Sequence, residues 1–327
     1  MTKKRLIDQI RSRKPATLRM VGTFVALVLL GYLLSQQGWE EILAAIQRIP
    51  LWRFVLALGL MLISRLAVAA RWHILLRAVE PDFPFRHSLR ITFAGLFASN
   101  FLPTTIGGDV VRLAGAIQLQ LEAAVAAASL VVDRLVGMTG MAMALPLCLP
   151  SLVGGKAILP PESSLQITLA ALPSSRWWRK TRELLSRAAA KLYKALILWL
   201  KQPASLGFSL GFSWINMLCL FIILEILLGG IGEYMPLWLI GGLYSLVYFV
   251  TLIPISVNGY GLQEISMTII FSNLGNATVS NGLTVALLFR TLMLLASLPG
   301  VLFLPDILSA SKTSDQASGA DQPGGAP

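Results

Sequence analysis

The sequence predicts an all-α, polytopic membrane protein of about 6 to 8 transmembrane helices, with two broken helical segments arranged as a two-fold repeat. Three observations carry that reading. Of 327 residues, 55% are hydrophobic and 13% charged, with a mean hydropathy of +0.71, whereas a soluble domain devotes roughly a quarter of its residues to charge. Apolar runs long enough to cross a hydrocarbon core of roughly 30 Å recur along the chain. The basic residues gather at the flanks of these runs: of 27 Lys and Arg, seven lie in residues 1–19, four in 71–90 and eight in 176–201. The positive-inside rule gives cytoplasmic loops this distribution, so the formal charge of +11 describes orientation in a membrane. Nucleic acid is not expected as a partner, because no interleaved basic and aromatic strand motif accompanies the charge.

The elements follow in order. Residues 1–19 form a basic N-terminus, expected on the cytoplasmic side, and Thr23 to Leu34 an uncleaved first span ending at an interface of Gln36, Gln37, Gly38 and Trp39. The transmembrane domain is expected over residues 20–304. A second span runs from Trp52 to Leu76, placing the Glu40 and Glu41 loop outside and the Arg77 to Arg90 loop inside. The first re-entrant segment covers 91–122: an apolar stretch to Leu102, then Pro103, Gly107 and Gly108, and a new helix opening with Val110. Proline and paired glycines in mid-membrane free backbone groups, which is tolerated only against protein or a wet cavity. Ala123 to Leu149 is a span interrupted by Asp133 and Arg134. Residues 150–175 read as a broken crossing, split by Pro160 and Pro161, and 176–201 as a basic amphipathic helix on the inner leaflet. Spans follow at Ala204 to Leu228 and Pro236 to Ile253, then the second re-entrant segment over 254–274, a last span from Leu283 to Leu304, and a disordered tail over 305–327.

The two breaks share a pattern. In each, a glycine falls five residues after a proline, Gly108 after Pro103 and Gly259 after Pro254, and an ionisable residue stands one turn into the next helix, Arg112 and Glu264. Transporters built from structural repeats place interrupted helices at corresponding positions with the substrate path between them. Asp109, Arg112, Asp133, Arg134 and Glu264 lie within apolar runs, where each charge costs about 2.5 to 3.5 kcal/mol at mid-bilayer. Their signs match, so an internal network around a hydrated cavity is expected, in which guanidinium groups grip a phosphate; structural ion pairing of the broken helices is the alternative. Arg71, His73 and Arg290 are expected to snorkel from span ends, and Glu225 to serve as a buried hydrogen-bond partner or proton site. Cys148 and Cys219 read as small packing residues, and neither they nor His73 and His87 show metal-ligand spacing. With no P-loop either, no cofactor or metal is expected.

The string from Asn100 through Pro103, Gly107, Gly108 and Asp109 to Arg112, followed by Asp133-Arg134 and by Pro254, Asn258, Gly259, Gly261 and Glu264, resembles the lysylphosphatidylglycerol synthase transmembrane-region family of flippase-like membrane proteins. Arg71-Trp72 fits the same pattern, and the resemblance runs roughly from Trp52 to Leu304. Two departures stand out: Asp133 occupies a position where the family usually shows Glu, and residues 148–177 lack clean spans. In bifunctional members this region moves an aminoacylated phospholipid between leaflets while a soluble domain synthesises it. The residues after Leu304 are too few for that domain, so aminoacyl transfer, and an enzyme, are not expected. The resemblance implies a lipid flippase or transporter of the plasma (inner) membrane, binding an anionic or zwitterionic phospholipid or a lipid-linked glycan. Asn100, Asp109, Arg112, Asp133, Arg134, Asn258 and Glu264 are its candidate substrate-binding residues, and Pro103, Gly107, Gly108, Pro254, Gly259 and Gly261 its backbone breaks. The alternatives are an accessory subunit for envelope lipid or glycan synthesis and a membrane-embedded transferase on a lipid-linked substrate. A second copy of the chain or an envelope enzyme are the candidate protein partners.

Overall fold

The structure, a computed structural model, describes residues 49–102, 107–150, 199, 201–252 and 261–305. Among these every regular element is helical: α1 (Leu51–Arg77), α2 (Phe85–Ser99), α3 (Gly107–Gln118), α4 (Ala123–Ala144), α5 (Pro203–Gly230), α6 (Leu237–Thr251), α7 (Leu262–Gly275) and α8 (Val279–Ser297). Short 3-10 turns, Leu145–Cys148 and Leu298–Leu302, extend α4 and α8. Among the described residues four helical stretches are long and apolar enough to cross a membrane: Leu51–Arg77, Ala123–Cys148, Pro203–Gly230 and Val279–Leu302. The N-terminal segment with its first span, the crossing at 150–175, the tail after residue 305 and the break residues Pro103, Pro254, Asn258 and Gly259 lie outside the described residues.

Long spans form the frame. α1 and α5 pack antiparallel along most of their length. At one end Ile49 lies against Gly230; at the other the Trp199 indole donates to the Leu75 carbonyl at 2.9 Å and the Gln202 amide to the Ala78 carbonyl at 2.8 Å. Trp199 belongs to the stretch expected as an interfacial helix, yet it is 1% exposed and packs among Leu75, Val132 and Val136. The outer face of α1, with Leu51, Val55, Ile63 and Leu66 exposed, is apolar, as a lipid-facing surface must be. Inside, Met61, Phe221, Leu224, Leu243, Phe271 and Phe289 join α1, α5, α6, α7 and α8 in one core.

Two pairs of short helices fill the frame. α2 and α3 hold 15 and 12 residues, α6 and α7 hold 15 and 14, so each is about 18 to 22 Å long and none crosses the hydrocarbon alone. The span expected over Pro236 to Ile253 is thus shorter than the sequence reading had it, because Pro236 sets its start and regular structure ends at Thr251. The first pair closes backbone to backbone: a Cβ on Gly95 would lie 2.7 Å from the Gly108 carbonyl oxygen, and one on Gly108 2.6 Å from that of Gly95. Without a hydrophobic drive between helices in lipid, such small-residue contacts supply the packing. α3 begins at Gly107 rather than at Val110, since the glycines are its first two residues. The second pair opens at Gly261, whose φ of 75° is a left-handed conformation that glycine adopts without strain.

The two pairs carry one layout. Each consists of a short helix, a break, a second short helix with an acid at its third residue, Asp109 or Glu264, and a long helix with an arginine as its twelfth residue, Arg134 or Arg290. In both halves that acid and that arginine form an ion pair.

Candidate functional site

The charged residues of the first half form a chain of alternating sign across three helices, with a serine of a fourth at its end. Arg71 of α1 donates from Nε to Asp133 Oδ1 at 2.7 Å and from Nη1 to Ser213 Oγ of α5 at 3.2 Å. Asp133 of α4, 1% exposed, takes a second donor from Arg112 Nη1 of α3 at 3.1 Å. The same Nη1 lies 3.3 Å from Asp109 Oδ1, and Asp109 Oδ2 accepts from Arg134 Nε. Helical geometry makes this possible, because Asp109 and Arg112 are three residues apart and share a face of α3. Gly137, one turn after Asp133 and Arg134, leaves room for Arg71: a Cβ there would meet Nη1 at 2.9 Å. The Arg112 guanidinium also stacks 4.4 Å above the Trp72 ring, whose indole is held by Ser129.

In the second half the pair is simpler. Arg290 Nε donates to Glu264 Oε1 at 2.6 Å, with Arg290 2% and Glu264 9% exposed. Both acids, Asp109 and Glu264, stand in the first turn of their helices, where the helix dipole favours negative charge. Those helix N-termini are therefore already faced by the chain's own carboxylates.

Both halves border one cavity of about 310 Å³. Its wall carries Arg65, Arg71, Asp109, Arg112, Asp133, Arg134 and Arg290, and between them the neutral polar groups of Ser213, Asn216, Tyr244, Tyr248 and Gln263. Three atoms of the charged groups are buried and lack a hydrogen-bond partner among the described residues: Arg112 Nε, Arg112 Nη2 and Glu264 Oε2. Buried polar groups are ordinarily satisfied, so these three atoms stand out beside the cavity among the described residues.

Of the sequence-predicted residues, Asp109, Arg112, Asp133 and Arg134 meet on this wall, and Glu264 reaches it through Arg290. Asn100 does not line it: its side-chain amide donates to Ser297 Oγ at 3.0 Å and to the Leu96 and Phe97 carbonyls, joining the end of α2 to the end of α8. Asn258 lies outside the described residues. Two expectations are corrected. Arg71 and Arg290 do not snorkel, because both lie well inside their helices with carboxylates facing them at under 3 Å. Glu225 is exposed near Arg53 and Glu233 rather than buried. His73, expected to snorkel too, is half-buried, with Nδ1 3.0 Å from Ser88 Oγ.

Sequence reasoning also missed the polar face of α5. Ser209, Ser213 and Asn216 recur at spacings of four and three in an otherwise apolar helix, and all three are buried. That periodic polar stripe was the available signal. Asn216 accepts from Ser64 of α1 at 2.6 Å, a bond that ties the two longest spans together beside the cavity.

Residues 19–300 match the family described as Lysylphosphatidylglycerol synthase TM region. No curated protein matches the chain.

Proposed function

We propose a lipid-handling role for this chain, which belongs to the lysylphosphatidylglycerol synthase TM region family. The chain is an integral membrane protein with lipid-spanning helices. In our reading it moves a phospholipid between leaflets: the polar headgroup enters the cavity between the two helix pairs while the acyl tails stay in the bilayer. The observation that carries this reading is the charged, incompletely satisfied cavity walled by groups from both halves. A headgroup that leaves water loses its hydration, and the cavity must offset that loss with fixed partners. Arginine suits the task because its planar fork meets two phosphate oxygens at once. The short helix pairs act as re-entrant hairpins whose breaks flank the path. The basic loop between Arg77 and Arg90 faces the cytoplasm, with the N-terminus on the same side, in the plasma membrane.

The test is transfer of acyl-labelled phospholipid across liposomes holding the purified full chain. Arg112→Ala and Glu264→Gln, reconstituted at equal levels and folded, are expected to slow transfer at least about tenfold, the effect of losing roughly 1.4 kcal/mol of headgroup stabilisation. Transfer at the unmodified rate in both variants contradicts the proposal.

A further inference from the structure

Among the described residues the charges around the cavity do not balance. Five arginines line it, Arg65, Arg71, Arg112, Arg134 and Arg290, against three carboxylates, Asp109 and Asp133 on the wall and Glu264 behind Arg290. Four of those arginines hold carboxylates. Arg65 holds none among the described residues: its Nη2 reaches Met61 Sδ at 3.4 Å, one turn earlier on its own helix. The sequences at the two breaks, 103–106 and 253–260, contain no Asp or Glu. Arg65 is the fifteenth of the 27 residues of α1, so it sits at the middle of a spanning helix, where an uncompensated charge is most costly. A second observation points the same way. Arg112, 7% exposed, buries Nε and Nη2 without an acceptor. Among the described residues, then, Arg65 lacks an anion beside the cavity, and Arg112, though it holds Asp109 and Asp133 through Nη1, keeps two further N–H groups without an acceptor.

We infer that the ligand of this cavity carries net negative charge: a phosphate ester headgroup without a compensating ammonium, with Arg65 as its partner at mid-membrane depth. The inference rests on the lipid-handling reading and names the substrate class within it. An anion entering past Arg134, whose side chain is 32% exposed, meets cations along its path and reaches Arg65 at the centre of the bilayer. A choline, ethanolamine or aminoacyl headgroup brings its own cation to a wall that already has cations in excess. Such lipids are discriminated against by like-charge repulsion rather than by size.

The experiment uses the full chain in liposomes that contain acyl-labelled phosphatidylglycerol or phosphatidylcholine, with lipid binding to the purified protein followed in parallel by native mass spectrometry. Phosphatidylglycerol is expected to bind and cross at least about tenfold better than phosphatidylcholine. Arg65→Gln is expected to slow phosphatidylglycerol much more than phosphatidylcholine, so that most of the preference is lost; Arg65→Lys, which keeps the charge, retains most of the preference. Melting temperatures of the two variants show whether both are folded. Both lipids crossing equally fast through the unmodified chain overturns the inference and leaves the lipid-handling reading standing. A preference that survives in Arg65→Gln, with Arg65→Lys unchanged, overturns the assignment of Arg65. No lipid bound or moved overturns the lipid-handling reading and the inference with it. Binding of inorganic phosphate with phosphatidylglycerol refused assigns the anion site to a free ion and overturns the lipid.

Discussion

The two halves of the molecule solve the same problem with different amounts of charge. In the second half, Glu264 and Arg290 form one ion pair on adjacent helices, with little solvent exposure. In the first half the equivalent pair, Asp109 and Arg134, is drawn into a longer chain through Arg112, Asp133 and Arg71, and the Arg134 side chain is 32% exposed. A lone buried pair contributes little net stability, because desolvation offsets most of its attraction, so the second pair fixes where α7 meets α8. The longer chain ties α1, α3, α4 and α5 together and leaves two buried donors of Arg112 without an acceptor among the described residues. The difference teaches that the second half sets its register with one pair, whereas the first half adds to the equivalent pair a run of charge along the cavity wall.

The largest effect expected from breaking this comparison is at Asp133. Asp133→Asn leaves Arg71 and Arg112 buried without their shared anion, at a cost of about 3–5 kcal/mol, read from unfolding in detergent. The second half behaves differently. Glu264→Leu alone costs about 3 kcal/mol, and adding Arg290→Met restores stability to within about 1 kcal/mol, since an apolar pair replaces an isolated ion pair without loss. The analogous double change in the first half, Asp133→Leu with Arg71→Met, does not recover, because Arg112 loses the nearer of its two carboxylates and keeps only the 3.3 Å contact to Asp109, which Arg134 shares. Next in size, Gly95→Ala pushes α2 from α3 at a contact between backbone atoms that cannot yield, for about 1–3 kcal/mol by the same measurement. The smallest effect lies at the turn joining α5 to α6. Hydrogen bonds from the Asn281 side chain and then from the Thr278 amide hold the Glu233 carboxyl below its ordinary range. Its folded value is depressed, so its contribution is present above about pH 4.3 and lost as pH falls through the folded value. Glu233→Gln is expected to flatten that acid limb of the stability profile slightly.

Much of the fold was legible because bilayer length is a strong ruler: the spans beginning near Trp52, Ala123 and Ala204 recur within a few residues as α1, α4 and α5. The acids and arginines of the first break were legible from the cost of charge in an apolar run. What escaped was register. Arg71 and Arg290 looked like snorkelling residues because the sequence gives distance from a span end but not which helix face meets a carboxylate from a helix far along the chain. Asn100 sat inside the most distinctive motif, yet its amide serves the end of α2 against Ser297, a contact 197 residues away that no local pattern encodes. The identical placement of acid and arginine in the two halves emerged once helix starts were known, since the proline-to-acid spacing differs between the breaks.

The central claim is that a wet, charged cavity runs into the bilayer beside α1, and thiol labelling tests it most directly. Val68 lines the cavity, whereas Leu66, two residues earlier, is exposed on the outer apolar face. In a chain with Cys148 and Cys219 replaced by Ala, Val68→Cys is expected to react with a charged, membrane-impermeant thiol reagent while Leu66→Cys stays unmodified. Labelling at position 68 should stop lipid transfer. A Val68→Cys chain that resists the reagent, or that moves lipid at full rate once completely labelled, contradicts the account.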